Sequence, residues 1–156
     1  MILTLDRVFH LITQHTSYVF RVTRHGHLES VHYGERIRDQ DMEPLIQKQT
    51  IETGSSVLYD PQDPLYCLDT MTLEWSGIGK GDYRHSPAEI KMPDGSFVAD
   101  FRYQSHRLIE GPIPMETLPS ARDGGADCQT LEITLHDGPS GVSLLLFYTV
   151  FPETDV

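Results

Sequence analysis

Cysteine is nearly missing from this chain: Cys67 and Cys128 are the only two. Two thiols are too few for a disulfide scaffold, and no CxxC is present for redox or zinc chemistry. Neither has a sequence-local base to make it a nucleophile, so both read as small, reduced, apolar side chains. Positive charge is also scarce. Twelve Lys and Arg stand against 23 Asp and Glu, a formal charge of −11. That balance excludes a nucleic-acid surface, which needs clustered cations, and it excludes docking on anionic lipid. Long apolar runs are absent too. The longest, "VSLLLFYTVF", falls short of the roughly 20 residues that a membrane-spanning helix needs. The start, "MILTLDRVFH", has no basic leader, and Asp6 interrupts its apolar residues. A secretory signal is therefore not expected, and the chain reads as cytoplasmic.

What is present is ordinary globular material. At 156 residues and 38% hydrophobic, the chain is long enough for one domain with its own core. The dominant periodicity is two, the strand signal. "VFHLIT" (Val8 to Thr13), "SYVFRVTR" (Ser17 to Arg24) and "LESVHYG" (Leu28 to Gly34) predict a meander, with Gly26 as a turn residue at positive φ. The stretch from Arg36 to Pro64 is polar and broken by Pro44, Gly54, Pro61 and Pro64; it predicts a loop with one short helix near Pro44 to Lys48. Strand signals resume at "LYCLDT" and "AEIKM". "PDG" (Pro93 to Gly95) is a turn, and "SFVADFRYQSHRLIEG" runs extended after it. The last two runs, "TLEITLHD" and "VSLLLFYTVF", form a hairpin; the second is dense enough to predict a central strand buried on both faces. Short antiparallel strands joined by Gly and Pro turns predict an all-β fold, an antiparallel β-sandwich.

Candidate chemistry is sparse. "WSGIGKGDYR" (Trp75 to Arg84) is the most motif-like stretch. A phosphate loop needs Lys followed by Ser or Thr ahead of a helix, whereas Lys80 precedes Gly81, and Pro87 forbids a helix interior just beyond. The stretch reads as a surface loop. His25 and His27 flank Gly26, but a metal site needs three or four ligands and no Cys/His cluster accompanies them. No metal and no cofactor is expected, and the pair reads as solvent-exposed turn histidines. Ser140 lies in a strand-to-strand turn, not in a nucleophile elbow. His85 and His106 raise the idea of an epimerase acting through two histidines and a carboxylate, although nothing in their spacing assembles that set. Trp75 stands close to Asp69, Asp82 and Arg84. An exposed aromatic beside acids and an arginine suits a sugar ring; packing under the loop suits the same residue equally.

Several segments together resemble the N-terminal region of the microbial α-galactosidases of glycoside hydrolase family 36. "TSYVFRVTRHGHLESVHYGERIRD" is similar to the opening strands of that family. Leu68-Asp69-Thr70, Gly81-Asp82-Tyr83-Arg84, Ser86-Pro87, the Asp94-Gly95-Ser96 turn and Asp100-Phe101-Arg102-Tyr103 carry the match in the next block. "ETLPSARDGGADCQTLEITLHDGPSGVSLLLFYTVF" resembles the block after it, so the likeness runs from Phe9 to Phe151. The resemblance implies a β-supersandwich of the galactose-mutarotase-like kind, with residues 1–156 as a single N-terminal domain. It also implies a (β/α)₈ barrel downstream, carrying the nucleophile and the acid/base as two aspartates. No catalytic residue is therefore assigned within this chain. The implied parent is a retaining α-galactosidase acting on melibiose- and raffinose-type sugars, and a homo-oligomer. In that setting the glycine loop faces the barrel or a neighbouring subunit. Asp82 and Arg84 then either pair to fix the loop or contact a partner, and Trp75 narrows a pocket mouth. The alternative is a stand-alone carbohydrate-binding sandwich.

Overall fold

The computed structural model of the chain describes residues 1–39, 42–46, 57–120 and 127–155. Among these residues seven strands form two antiparallel sheets. The first holds β1 (Ile2–Leu5), β2 (Val8–Ile12), β3 (Thr16–Val22) and β4 (Leu28–Glu35) in that order. The second holds β5 (Arg102–Glu110), β6 (Gln129–His136) and β7 (Ser143–Val150). Both are meanders, so each strand pairs with its neighbour in sequence. Among the described residues the only helical pieces are 3₁₀ turns at Glu43–Leu45 and Leu68–Thr70.

Alternation decides which side chains meet. Phe9 and Leu11 on β2, and Phe20 and Val22 on β3, turn toward Leu131, Ile133 and Leu135 on β6. Phe9 and Phe20 lie 5.1 Å apart between ring centroids. Phe20 also meets Tyr148 of the opposite sheet at 4.8 Å, and Phe9 meets His106 edge-on at 5.0 Å. These contacts close one apolar core between the sheets. The fully buried rings carry much of its energy, because aromatic side chains bury the largest apolar areas. Each sheet has one irregularity. Val31 is extra in β4, between the pairs Val19↔His32 and Phe20↔Ser30. Gln104 is extra in β5, between Tyr103↔Leu135 and Ser105↔Thr134. Such bulges bend and twist a strand locally.

The outer face of the first sheet is covered as well. His10, Ser17 and Val19 are fully buried there. The Ile37 amide donates to Ser17 Oγ (3.1 Å), and that hydroxyl lies 2.8 Å from His10 Nε2. Among the described residues His10 Nδ1 is buried without a hydrogen bond, 3.8 Å from Asp39. At the far end of the chain, Asp155 accepts from Thr13 Oγ1 (2.6 Å) and from the His15 amide (2.8 Å). These bonds hold the Asp155 carboxyl at a pKa of about 2 and fasten the exit segment to the β2–β3 turn.

Five readings of the sequence change. The β1 strand went unrecognised. "LYCLDT" and "AEIKM" are not strands: the first holds the Leu68–Thr70 turn, and the second has no strand partner. Their period-two pattern is real, since Tyr66, Leu68 and Met92 are all buried, but burial at alternate positions does not require a ladder. The extended run after Ser96 becomes strand only at Arg102. The strand β7 is not central. It lies at the sheet edge with Leu145 49% exposed, and β6 is the central strand. Of the helix expected from Pro44 to Lys48, the part to Leu45 is a 3₁₀ turn, and Gln47 and Lys48 lie outside the described residues. Gly26 has φ +95 at the β3–β4 turn, as expected.

Candidate functional site

The segment 57–101 contains no strand, yet it packs on the core through Trp75, Ile90, Met92, Ala99 and Phe101. It is tied to β4 by a short bridge, with the Ser30 amide donating to Thr72 O (2.7 Å) and the Glu74 amide to Leu28 O (3.0 Å). Glu74 then sits between the sheets. The Tyr18 hydroxyl from β3 and the Tyr148 hydroxyl from β7 both donate to its carboxylate. Burial first, and then the charge of Glu74 and the hydrogen bonds to it, push both phenols well above the ordinary tyrosine range.

The glycine loop follows directly. Trp75 is half-buried and packs on the core, its ring edge-on to Phe101 at 6.4 Å. Gly77 runs so close to the 98–99 segment that a Cβ would lie 2.9 Å from the Ala99 carbonyl oxygen. At Gly79, with φ +101, a Cβ would meet Val98 at 2.8 Å. Lys80 and Gly81 continue at φ 56 and 87, so three successive residues are left-handed. Only glycine adopts that conformation without a steric cost, and Lys80 bears one.

Asp82 and Arg84 hold this loop from inside. The Asp82 carboxylate is almost fully buried and accepts from Arg84 Nε (2.9 Å), Nη2 (3.0 Å) and the Arg84 amide (3.1 Å). The same guanidinium donates to Met71 O (2.6 Å) and Leu68 O (2.7 Å). Leu68 opens the 3₁₀ turn and Met71 caps it, so two of the four guanidinium hydrogen bonds join this loop to that turn with high geometric specificity. Trp75 and Asp82 both line a small cavity of about 20 Å³, with His27 and Asp100 among its walls. That is room for about one water molecule. Arg84 lies outside it, so the three candidate residues do not converge on one opening.

A second network went unrecognised in the sequence. His27 is buried, not solvent-exposed. Its Nδ1 lies 2.8 Å from the Tyr66 hydroxyl, its Nε2 2.9 Å from Asp100 Oδ1. Tyr66 reaches Thr23 Oγ1 (2.7 Å), and the Tyr59 hydroxyl donates to Asp100 Oδ2 (2.9 Å). Burial raises the Tyr66 phenol to about 12. Burial would also raise Asp100, but hydrogen bonds from His27 and Tyr59 and the charge of Arg102 hold it below the usual carboxylate range. The Asp100 amide donates to Asp137 Oδ1 (3.0 Å), whose other oxygen accepts from Ser140 Oγ (2.5 Å). His25 joins at the edge, 2.9 Å from Asp63. Nothing in the spacing of "HGH", "YDPQDPLY" and "VAD" announces that these residues meet.

The remaining candidates are dispersed. His85 is exposed and bonds the Ser86 carbonyl; His106 stacks on the core and reaches the Tyr103 hydroxyl at 2.7 Å. Neither has a carboxylate partner among the described residues. Among those residues no three His, Cys, Asp or Glu side chains are arranged to hold a metal ion, and no helix is long and apolar enough to cross a membrane.

Known proteins resemble this chain over nearly all its length. The model of the glycosyl hydrolase family 36 N-terminal domain matches residues 26–156. The α-galactosidase AgaA of Geobacillus stearothermophilus is 31% identical over 149 residues, covering 95% of this chain and 20% of that protein. The bifunctional α-galactosidase/sucrose kinase AgaSK of Mediterraneibacter gnavus is 31% identical, over 96% of this chain and 16% of its own length. Among solved structures, the family 36 α-galactosidase AgaB from G. stearothermophilus superposes with a TM-score of 0.86 at 28% identity, over 98% of this chain and 21% of that one. The chain thus spans about a fifth of the length of the relatives it matches.

Proposed function

The chain belongs to the glycosyl hydrolase family 36 N-terminal domain family, and on that premise we propose that it is the non-catalytic N-terminal domain of a retaining, cytoplasmic α-galactosidase. The parent enzyme hydrolyses terminal α-galactosyl units of melibiose- and raffinose-type sugars on a downstream (β/α)₈ barrel. The observation that carries this reading is the coverage: almost all of this chain aligns with about a fifth of much longer α-galactosidases.

The internal chemistry agrees. A retaining glycosidase needs two free carboxyl groups about 5–5.5 Å apart. Here the buried acids are already committed: Asp82 to Arg84, Asp100 to His27 and Tyr59, Asp137 to Ser140. A carboxylate fixed by several donors is a structural anchor, not a nucleophile. Around the glycine loop, Val57, Ile78, Phe97 and Val98 are exposed. An apolar rim of that kind is the material of an interface. In this proposal it seats against the barrel or a neighbouring subunit, and Trp75, Asp82 and Arg84 support that surface from beneath.

The test compares two products. The 156-residue chain is assayed on raffinose beside the product of the reading frame continued past Val156. Only the longer protein is expected to release galactose. Hydrolysis by the short chain, or a stop codon directly after Val156, overturns the proposal.

A further inference from the structure

Among the described residues the two sheets end in β1 and β4 on the first and in β5 and β7 on the second. A sheet edge is a row of unpaired amides and carbonyls, and folded proteins guard it by shortness, charge, a bulge or a covering segment. Three of these edges carry such a guard. The strand β1 has 4 residues. The strand β4 carries Glu29 and Glu35, and the segment 72–74 bonds its first residues. The strand β5 carries Arg102, Arg107 and Glu110, and the bulge at Gln104. The strand β7, "SLLLFYTV", is different: 8 residues with no charge, no proline and an unbroken register with β6.

The direction of its free backbone groups follows from the hairpin. The Asp137 amide donates to Val142 O, which starts the ladder between β6 and β7. Bonded pairs alternate along an antiparallel ladder, so Leu144, Leu146, Tyr148 and Val150 exchange hydrogen bonds with β6. The amides and carbonyls of Ser143, Leu145, Phe147 and Thr149 therefore point away from it. Among the described residues no hydrogen bond reaches them. We propose that β7 pairs antiparallel with β7 of a second copy of this chain, about a two-fold axis at Leu146.

In that register Leu145 lies opposite Phe147 of the second copy, and Ser143 opposite Thr149, so each outward amide meets an outward carbonyl. The side-chain faces match as well. On the core face Leu146 meets its own copy, and Leu144 meets Tyr148. On the outer face Leu145, 49% exposed, covers Phe147. A slip of one residue sets core-facing side chains opposite outward ones. Charge points to the same place. Each copy carries −11, so two copies repel except where neither presents charge, and β7 is uncharged. The acid beside it on β6, Glu132 opposite Phe147, is held by Arg107 Nε (2.8 Å) and Nη2 (2.7 Å). The pairing also closes. The joined sheet ends in β5 on both sides, and the charges there stop further addition.

This pairing goes beyond the α-galactosidase reading and does not depend on it. Sedimentation equilibrium of the 156-residue chain is expected to show a reversible monomer and dimer. Amide exchange at Leu145 and Phe147 is expected to slow as concentration rises, while exchange on β5 does not change. Leu145→Lys alters a half-exposed side chain, so the monomer keeps its dispersed spectrum. It sets an ammonium against Phe147 twice in each dimer and weakens association about tenfold. Leu145→Val, uncharged and suited to a strand, keeps the dimer. A monomer at every concentration, a dimer that Leu145→Lys leaves unchanged, open-ended aggregates, or exchange at the two amides that ignores concentration overturns the proposal. So does protection of those amides in a monomeric product of the reading frame continued past Val156, which gives the edge to downstream polypeptide instead.

Discussion

The strands and the strandless segment 57–101 are held by different forces. Between the sheets, Phe9, Phe20, Leu131 and Ile133 are fully buried and meet through apolar contact. Across the segment, Met92 and Phe101 join that core, and side-chain hydrogen bonds are added to the apolar contact: Arg84 to Asp82, Leu68 and Met71, and Asp100 to His27 and Tyr59. Apolar contact is non-directional and tolerates repacking, whereas a hydrogen-bonded fork fixes one geometry. The difference suits the roles proposed for the two regions. One is a scaffold, and the other presents a shaped surface.

The sharpest way to break this contrast is in the core. Phe20→Ala removes a fully buried ring that meets Phe9, Tyr18 and Tyr148. A loss of about 3–5 kcal/mol is expected, read as a lower urea midpoint for the whole domain. If only the strandless segment loosened, the two regions would not differ as described.

Arg84→Ala attacks the segment instead. It leaves the Asp82 carboxylate buried without its cation and frees the Leu68 and Met71 carbonyls. The expected cost is about 2 kcal/mol, below that of a fully buried pair because Arg84 is one-third exposed. Amide exchange should quicken at residues 79–84 and around Met71 while the strands keep their protection. Uniform loss of protection throughout the molecule would contradict this picture.

His27→Ala is expected to cost about 1–3 kcal/mol, because it strips one donor from Asp100 and leaves the Tyr66 hydroxyl with Thr23 alone. Near-ultraviolet circular dichroism of the tyrosines is the measurement. An unchanged tyrosine signal with unchanged stability would show that the network is dispensable.

The smallest effect is a pH dependence within the strands. Burial lowers the His10 pKa, opposed by the nearby Asp39 and assisted by His32 and Arg36. Below its ordinary value near 6.5 the unfolded chain therefore takes up the proton more readily than the folded one. Stability is present in full above that value and falls as pH drops below it. Urea midpoints compared at pH 7.5 and 5.5 should converge for His10→Gln relative to the parent chain. Equal slopes in both proteins would exclude His10 as the source.

Much of the strand architecture was legible because alternation leaves a mark in the sequence. The runs that became β2, β3, β4 and β6 carry the period-two signal, β7 shows as a dense apolar run, and Gly26 marks the turn that needs a positive φ. The same signal misled at "LYCLDT" and "AEIKM", where alternate burial occurs without a partner strand. It also misplaced β7, since apolar density does not state how many neighbours a strand has. For the candidate site, Trp75, Asp82 and Arg84 were picked out as a group, and the internal Asp82–Arg84 pairing was one of the two roles considered. The His27–Asp100 network was invisible, because Thr23, Tyr59, Tyr66 and Asp100 come together although they lie as many as 77 positions apart in the chain, from Thr23 to Asp100.

The sequence by itself determined the all-β class, the antiparallel order of neighbouring strands, and the family, through patterns that are local and repeat along the chain. The tertiary structure alone decided which acids are spent on internal donors, that β6 and not β7 is central, and that β7 lies at an edge without a guard. Those outcomes depend on contacts between distant segments, and a side chain's partner across a fold is set by packing geometry that no local periodicity encodes.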